Sequence, residues 1–155
     1  MDSALAPSAI CAIISVVDSV ADFYRENSVP SERFSQTLAH VAERIAEGID
    51  PRVGMREFLD ELAIRPTREL RLAAVAQEPR RVGERSDALL AALAEHVALR
   101  DGEPPPSWAV DADRFLDRMW FLSPTRAFRA TELRESPAAF RRRGIFLARS
   151  TLHRV

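Results

Sequence analysis

Histidine and glutamate recur at helical spacing in the first half of the chain, and these residue types can hold a metal ion. His40, Glu43 and Glu47 would share one face of a helix. Imidazole nitrogens and carboxylate oxygens are common metal ligands. A carboxylate metal site between helices also needs a matching set on its partner helices, and the sequence has no second Glu-x-x-His set. We therefore expect a solvated polar face here and no metal.

Glu95 and His96 would form a general acid–base pair only if both side chains reached the same substrate atom. Neighbouring residues of a helix point about 100° apart, which disfavours that geometry. A structural, partly buried His96 is the favoured interpretation.

Other motifs of catalysis are also missing. Asp111, Asp113 and Asp117 resemble a calcium loop only in part, because the EF-hand glycine and terminal glutamate are absent. Their favoured role is charge at the start of a helix. The chain has no glycine-rich phosphate loop, no Gly-x-Ser-x-Gly motif and no lysine, since all 22 basic residues are arginine. The sequence predicts that the protein is not an enzyme and binds no cofactor.

The strongest pattern lies in the last third of the chain, where arginines alternate with aromatic residues. From Arg118 to the last residue there are nine arginines and only two acids, Glu132 and Glu135. A positive surface of this kind selects an acidic partner, and arginine and tryptophan often anchor protein interfaces. The predicted partner-binding residues are Trp108, Trp120, Phe121, Arg126, Arg129, Arg141, Arg142 and Arg143.

Two other interpretations of Arg141, Arg142 and Arg143 stay open. Three consecutive arginines spread around a helix, so at most two can face one surface. They could instead form ion pairs with the acids of residues 1–79 or of a second subunit. Alternatively, they could bind nucleic acid.

A helix-turn-helix motif at residues 40–62 would place a DNA-reading helix in the chain. With Gly48 at the turn, Arg44 falls where a small buried residue is needed, and Gly54 and Glu57 fall at inner apolar positions. The match therefore fails.

Helical period dominates the first hundred residues, so the sequence predicts an all-α fold. Longer helices are predicted at 8–26, at 30–47, from Asp50-Pro51 through Leu62, from Pro66-Thr67 to Pro79, and from a Ser86 or Asp87 cap through Val97. Shorter helices are predicted at 111–119, at 125–135 and, after a Ser136 cap, at 137–143. Ile145-Phe146-Leu147 is either a short strand or a plug for the core.

One domain is expected over residues 1–155. It comprises a helical bundle at 1–100, a proline-rich break at 101–107 and an irregular lobe rich in Arg and Trp at 108–155.

The first predicted helix is apolar around most of its circumference. We therefore expect it at the centre of the core or in a homodimer contact, through Ile10, Ile13, Ile14 and Val17. Asp18 and Asp22 interrupt this apolar run well before the length of a membrane span. A lone cysteine, Cys11, forms no internal disulfide, so we expect a cytoplasmic protein without a membrane span.

Several stretches from residue 50 onward resemble a bacterial family of uncharacterised function from high-GC, actinobacterial genomes. The resemblance lies in REFLDEL (56–62), DALLAALAEHVA (87–98), Pro106-Ser107-Trp108, FLDRMWF (115–121) and SPAAFRRRGIF (136–146). Such modules often follow a helix-turn-helix domain and are encoded beside a nucleotidyltransferase-like toxin. The resemblance implies an antitoxin-like, non-catalytic partner of that protein, although the first two helices here replace a recognisable DNA-binding domain.

Overall fold

A computed structural model describes residues 35–153 of the chain, and this part has an all-α fold, as the sequence predicted. The α-helices are α1 (Leu38–Ala46), α2 (Pro51–Ile64), α3 (Arg68–Ala76), α4 (Glu84–Arg100), α5 (Arg129–Glu135) and α6 (Ala138–Arg141). Two short strands, β1 (Trp120–Phe121) and β2 (Ile145–Phe146), and four 3-10 turns complete the described residues. The predicted first helix and its dimer contact lie outside this range.

Side-chain caps fix the start of the first three helices. Thr37 accepts a hydrogen bond from the His40 amide at the start of α1, and Thr67 accepts one from Leu70 at the start of α3. Asp50 caps α2, where Pro51 takes the first helical position, as predicted. The prediction for α1 was too long, because residues 35–37 are not helical and the Thr37 cap begins the helix.

Helices α1 and α2 pack closely, and the residues that break the helix-turn-helix pattern join them. A Cβ atom at Gly54 would lie 3.0 Å from Val41 Cγ1, so glycine permits this close approach. Arg44 forms an ion pair with Glu57 across the two helices. The residues that do not fit the helix-turn-helix pattern therefore hold the two helices together.

Helix α4 is the centre of the core and contacts α1, α3 and α6. Most of its apolar residues are almost completely buried, including Leu89, Leu90, Leu93 and Val97, whereas Leu99 near its C-terminal end is exposed. The predicted Ser86 or Asp87 cap is wrong: the helix starts at Glu84 after Gly83, and the Asp87 carboxylate accepts the Val82 amide from inside the first turn.

The core continues beyond the proline-rich break. Helix α4 ends at Arg100, before this break, and Pro106 has extended backbone angles close to polyproline geometry. Phe140, Ile145 and Leu147 then join the same buried cluster as α4.

The helix predicted at 111–119 is wrong. Only a 3-10 turn at Ala112–Arg114 forms, because the amides of Leu116 and Trp120 donate to the carbonyls of Arg143 and Gly144 at 3.2 and 2.7 Å. These long-range bonds replace the bonds that would continue the helix.

Strands β1 and β2 pair in parallel, with Trp120 opposite Ile145 and Phe121 opposite Phe146. Ile145-Phe146-Leu147 is therefore both a strand and a buried part of the core. Gly144 precedes β2 with φ +74°, a left-handed conformation that favours glycine.

The predicted Ser136 cap is also wrong, since its hydroxyl donates to the Ile145 carbonyl at 3.1 Å and Pro137 occupies the N-cap of α6. Within residues 35–153, no helix has the length and apolar character needed to cross a membrane.

Candidate functional site

An exposed surface of two arginines and two apolar side chains runs along the segment that leads into α5. We call Arg126, Phe128, Arg129 and Leu133 the basic–apolar surface. Phe128 is 55% exposed and Leu133 is 46% exposed, although both side chains are large and apolar. Arg126, Arg129 and Leu133 follow each other at helical spacing and so lie on one side of the segment.

The cations of this surface are not neutralised by nearby acids. Neither Arg126 nor Arg129 has a carboxylate within ion-pair distance among residues 35–153. Glu132, one of the two acids of this region, is only 2% exposed and accepts a hydrogen bond from the Ser123 amide. Glu135 is half-buried and lies 3.5 Å from Arg134. The two acids of this region therefore do not neutralise Arg126 or Arg129.

Phe121 of β1 contacts this surface through Arg129. The Arg129 guanidinium lies over the Phe121 ring, 5.0 Å from its centroid, and Phe121 stacks on Phe146 at 5.4 Å. Trp120 is half-buried, and Arg85 lies 5.7 Å from the centroid of its ring. Two predicted binding residues, Phe121 and Arg129, are thus brought into contact.

Arg143, in contrast, is completely buried. Its guanidinium forms an ion pair with Glu95 of α4, donates to the carbonyls of Ala139 and Ala109, and lies over the Phe115 ring. Burial lowers the pKa of Arg143 from its ordinary value, while the hydrogen bond with Glu95 acts in the opposite direction. This residue is part of the core, so its guanidinium does not face a partner.

Arg141 and Arg142 occupy the rim of this buried cluster. Arg142 Nε lies 3.1 Å from Glu95 Oε2, and Arg141 donates to the Ser136 carbonyl at 2.9 Å. Both side chains remain exposed, and together with Arg149 they line a shallow pocket of about 450 Å³. Arg143 and, in part, Arg142 therefore form internal ion pairs, but their partner is Glu95 and not an acid of residues 1–79.

Trp108, another predicted binding residue, is also an interior residue. Its indole Nε1 donates to the Ala76 carbonyl at 3.2 Å, and Arg114 lies 4.7 Å from the centroid of its ring. Arg114 is fully buried and donates to Glu78 and to the Pro79 carbonyl. Sequence reasoning missed Arg114, because nothing in the local sequence separates it from the exposed arginines.

A second concave region lies beside the start of α2. This cleft, which we call the α2 cleft, has a volume of about 710 Å³ and is bounded by residues of α2, of the segment after β1 and of the C-terminal 3-10 turn. Glu132 lines it, so the buried carboxylate of α5 lies at a cavity of ligand size.

The polar groups considered for metal binding or catalysis do not converge. No cluster of three or more metal-ligating side chains occurs within residues 35–153. Glu43 pairs with Arg80 at 3.0 Å, and Asp113 pairs with Arg81 at 2.9 Å. His40 is exposed.

Glu95 and His96 also have separate environments. Glu95 binds the buried arginine cluster, whereas His96 makes an edge contact with Phe140, with ring centroids 5.8 Å apart. Burial, followed by the nearby charges of Arg100 and His153, lowers the pKa of His96 from its ordinary value. The structure offers structural roles for both side chains.

No protein-family model, curated protein sequence or solved structure matches this chain.

Proposed function

We propose that this protein is a non-catalytic protein-binding module that docks its basic–apolar surface on an acidic surface of a partner protein. The family resemblance of the sequence suggests the partner: a nucleotidyltransferase-like protein encoded nearby, which this chain would neutralise as an antitoxin does. We also propose a cytoplasmic location, since both proteins would then share one compartment.

The observation that carries the proposal is the basic–apolar surface itself. Arg126 and Arg129 lack acidic neighbours among the described residues, while Phe128 and Leu133 of the same segment expose large apolar side chains. Phosphate recognition alone does not require the exposed apolar groups. A protein interface uses both, because apolar burial supplies affinity and charge complementarity supplies orientation and association rate.

The geometry favours Arg126 and Arg129 over Arg141, Arg142 and Arg143 as interface residues. Arg143 is buried, and Arg142 is bound to Glu95. Phe121 holds the Arg129 guanidinium by a cation–π contact, which reduces the entropy lost when the side chain is ordered in a complex.

Nucleic-acid binding is the second candidate, and the shallow pocket at α6 favours it. Three arginines, Arg141, Arg142 and Arg149, line this pocket without a carboxylate among its lining residues. Planar guanidinium groups in such a concave arrangement suit a phosphate group.

The two candidates differ in their dependence on salt and on apolar contacts. We would co-express the chain with the product of the neighbouring gene and measure the dissociation constant by calorimetry at several salt concentrations. Protein binding should weaken moderately with salt and should be lost in Phe128→Ala, since this change removes apolar contact but no charge. Retention of affinity in Phe128→Ala would contradict the proposed interface.

The same chain would be titrated with labelled duplex DNA and single-stranded RNA. Phosphate binding should fall steeply with salt and depend on Arg141 and Arg149 but not on Phe128. That result, with no complex to the neighbouring protein, would favour the nucleic-acid candidate.

A further inference from the structure

The Glu132 carboxylate is buried with one oxygen unpaired. Its Oε1 atom accepts the Ser123 amide at 3.0 Å, but no donor among residues 35–153 reaches its Oε2 atom. An ionised carboxylate accepts hydrogen bonds on both oxygens, and leaving one without a donor inside a protein is costly. Glu132 also lines the α2 cleft, so a carboxylate with one unpaired oxygen lies at the wall of a cavity, although Oε2 itself is buried.

The remaining walls of the α2 cleft suit a small organic molecule. The volume of about 710 Å³ lies within the range of small-molecule sites. Met55 and Leu122 supply buried apolar surface, and Ser123 and Thr151 add polar groups near the same space. The site therefore combines an apolar wall with a few polar groups, as ligand sites commonly do.

The cleft is lined by one ion pair and by two charged side chains that are not in an ion pair. Asp50 binds Arg52 through both carboxylate oxygens, at 3.1 and 3.2 Å, and the side-chain hydrogen bond from Arg52 lowers the pKa of Asp50. Arg56 is exposed and lies beyond ion-pair distance of every carboxylate among residues 35–153, including Glu132. The cleft thus carries one unneutralised anion, Glu132, and one unneutralised cation, Arg56.

We propose that the α2 cleft binds a small zwitterion, with a protonated amine on Glu132 and an anionic group on Arg56. The ammonium group pairs with the Glu132 carboxylate, and the guanidinium of Arg56 donates to the anionic group. Methylene groups between the two charges pack against Met55 and Leu122. This site includes no residue of the basic–apolar surface, so the proposal of a zwitterion site does not depend on the proposed function.

A series of ω-amino acids would test the proposal on the full chain. Glycine, β-alanine, 4-aminobutyrate and 6-aminohexanoate carry the same two charges at increasing separation. We would follow binding by calorimetry and by amide chemical shifts at about pH 8, which lies above the reference pKa of histidine. We expect one chain length to bind best and to shift the Ser123 amide.

Molecules with a single charge provide the first control. The amine and the carboxylic acid of the same chain length should each bind at least about tenfold more weakly, since each leaves one protein charge unpaired. An amine that binds as tightly as the matching amino acid would overturn the role of Arg56. If no member of the series binds at millimolar concentration, the proposal is wrong.

Matched variants provide the second control. Glu132→Gln keeps an acceptor for the Ser123 amide but removes the charge, so affinity should fall at least about tenfold. Glu135→Gln makes the same change on the same helix outside the cleft and should leave affinity unchanged. Arg56→Gln should weaken binding like Glu132→Gln, whereas Arg118→Gln should not.

Equal binding by Glu132→Gln and the unchanged chain would overturn the proposal. Should Glu132→Gln fail to fold, the shift of the Ser123 amide in the unchanged chain decides instead: its absence on saturation with the best amino acid contradicts the proposed position of the amine.

Discussion

Two groups of arginines in the C-terminal half of the molecule have opposite environments. Arg143 and Arg114 are completely buried, and each binds a glutamate and backbone carbonyl groups and lies over an aromatic ring. Arg126 and Arg129 are exposed and have no acidic neighbour among the described residues. The same residue type therefore forms part of the core in one group and a free cationic surface in the other.

This difference shows what a count of charges along the sequence leaves out. The count of nine arginines and two acids from Arg118 onward treats all residues as surface. Arg143 and Glu132 are buried and so do not contribute to that surface. Arg142 and Arg143 both form ion pairs with Glu95. Only the arginines that remain exposed and unpaired determine the electrostatic potential that a partner meets.

Arg143→Met should have the largest effect on stability. The change leaves Glu95 buried with only the partly exposed Arg142 as its partner, so we expect a loss of about 3–5 kcal/mol of unfolding free energy. Urea denaturation followed by circular dichroism measures this loss.

A double variant sharpens that prediction. Combining Arg143→Met with Glu95→Leu removes both charges and should recover part of the stability, because no buried carboxylate is left unpaired. If the Arg143→Met variant is as stable as the unchanged chain, Arg143 does not stabilise the core, and the proposed difference between the two groups of arginines is wrong.

Arg114→Met should destabilise the fold less, by about 2 kcal/mol. Its partner Glu78 is more than half exposed and can be solvated by water after the change. Two of the guanidinium nitrogens of Arg114, Nε and Nη1, have no partner among the described residues, so their removal costs nothing. The same urea measurement should rank this variant between Arg143→Met and the surface variants below.

Arg126→Glu combined with Arg129→Glu should leave the melting temperature nearly unchanged, apart from the exposed contact of Arg129 with Phe121. Binding to the neighbouring protein should weaken by about 2–5 kcal/mol, mainly through slower association. Stopped-flow or surface-based kinetics would measure it.

Charge reversal at Arg142 is a poor substitute for that experiment, because it would place a second carboxylate next to Glu95. Early melting of the Arg126 and Arg129 double variant would show that these residues are structural like Arg143.

A small pH effect is expected from His96 of α4, whose ring contacts Phe140. Burial lowers its pKa, so below about pH 6.5 the unfolded chain binds a proton that the folded chain does not. Stability should therefore fall as the pH falls through this range. His96→Gln should flatten that part of the pH profile, whereas His40→Gln, on an exposed residue, should leave it unchanged. Equal slopes in all three proteins would contradict the assignment to His96.

Local sequence predicted the helices where local interactions decide them. Thr67 and Asp50 begin helices because their side chains accept amides two or three residues ahead, and such short-range contacts are readable in the sequence. The apolar period of α4 likewise predicted that helix, but the central place in the core was expected for the first helix, and the burial of α4 was not predicted. The helix predicted at 111–119 failed because its amides find carbonyl partners more than twenty residues away.

The candidate sites depended more on the tertiary structure. Sequence placed Arg126, Arg129, Arg141, Arg142 and Arg143 in one partner-binding set, and the exposed apolar side chains of Phe128 and Leu133 were not anticipated. The buried acid of the α2 cleft was also missed, since the sequence counted Glu132 simply as one of two acids.

The sequence by itself determined a helical protein with its positive charge concentrated near the C-terminal end, because both follow from periodicity and composition. Only the tertiary structure decided which charges meet. Glu95 and Arg143 are 48 residues apart, and the packing of α6 on α4 brings them together. An arginine is drawn into the core when a carboxylate, carbonyl groups and an aromatic ring surround it at once, and no local pattern encodes that meeting.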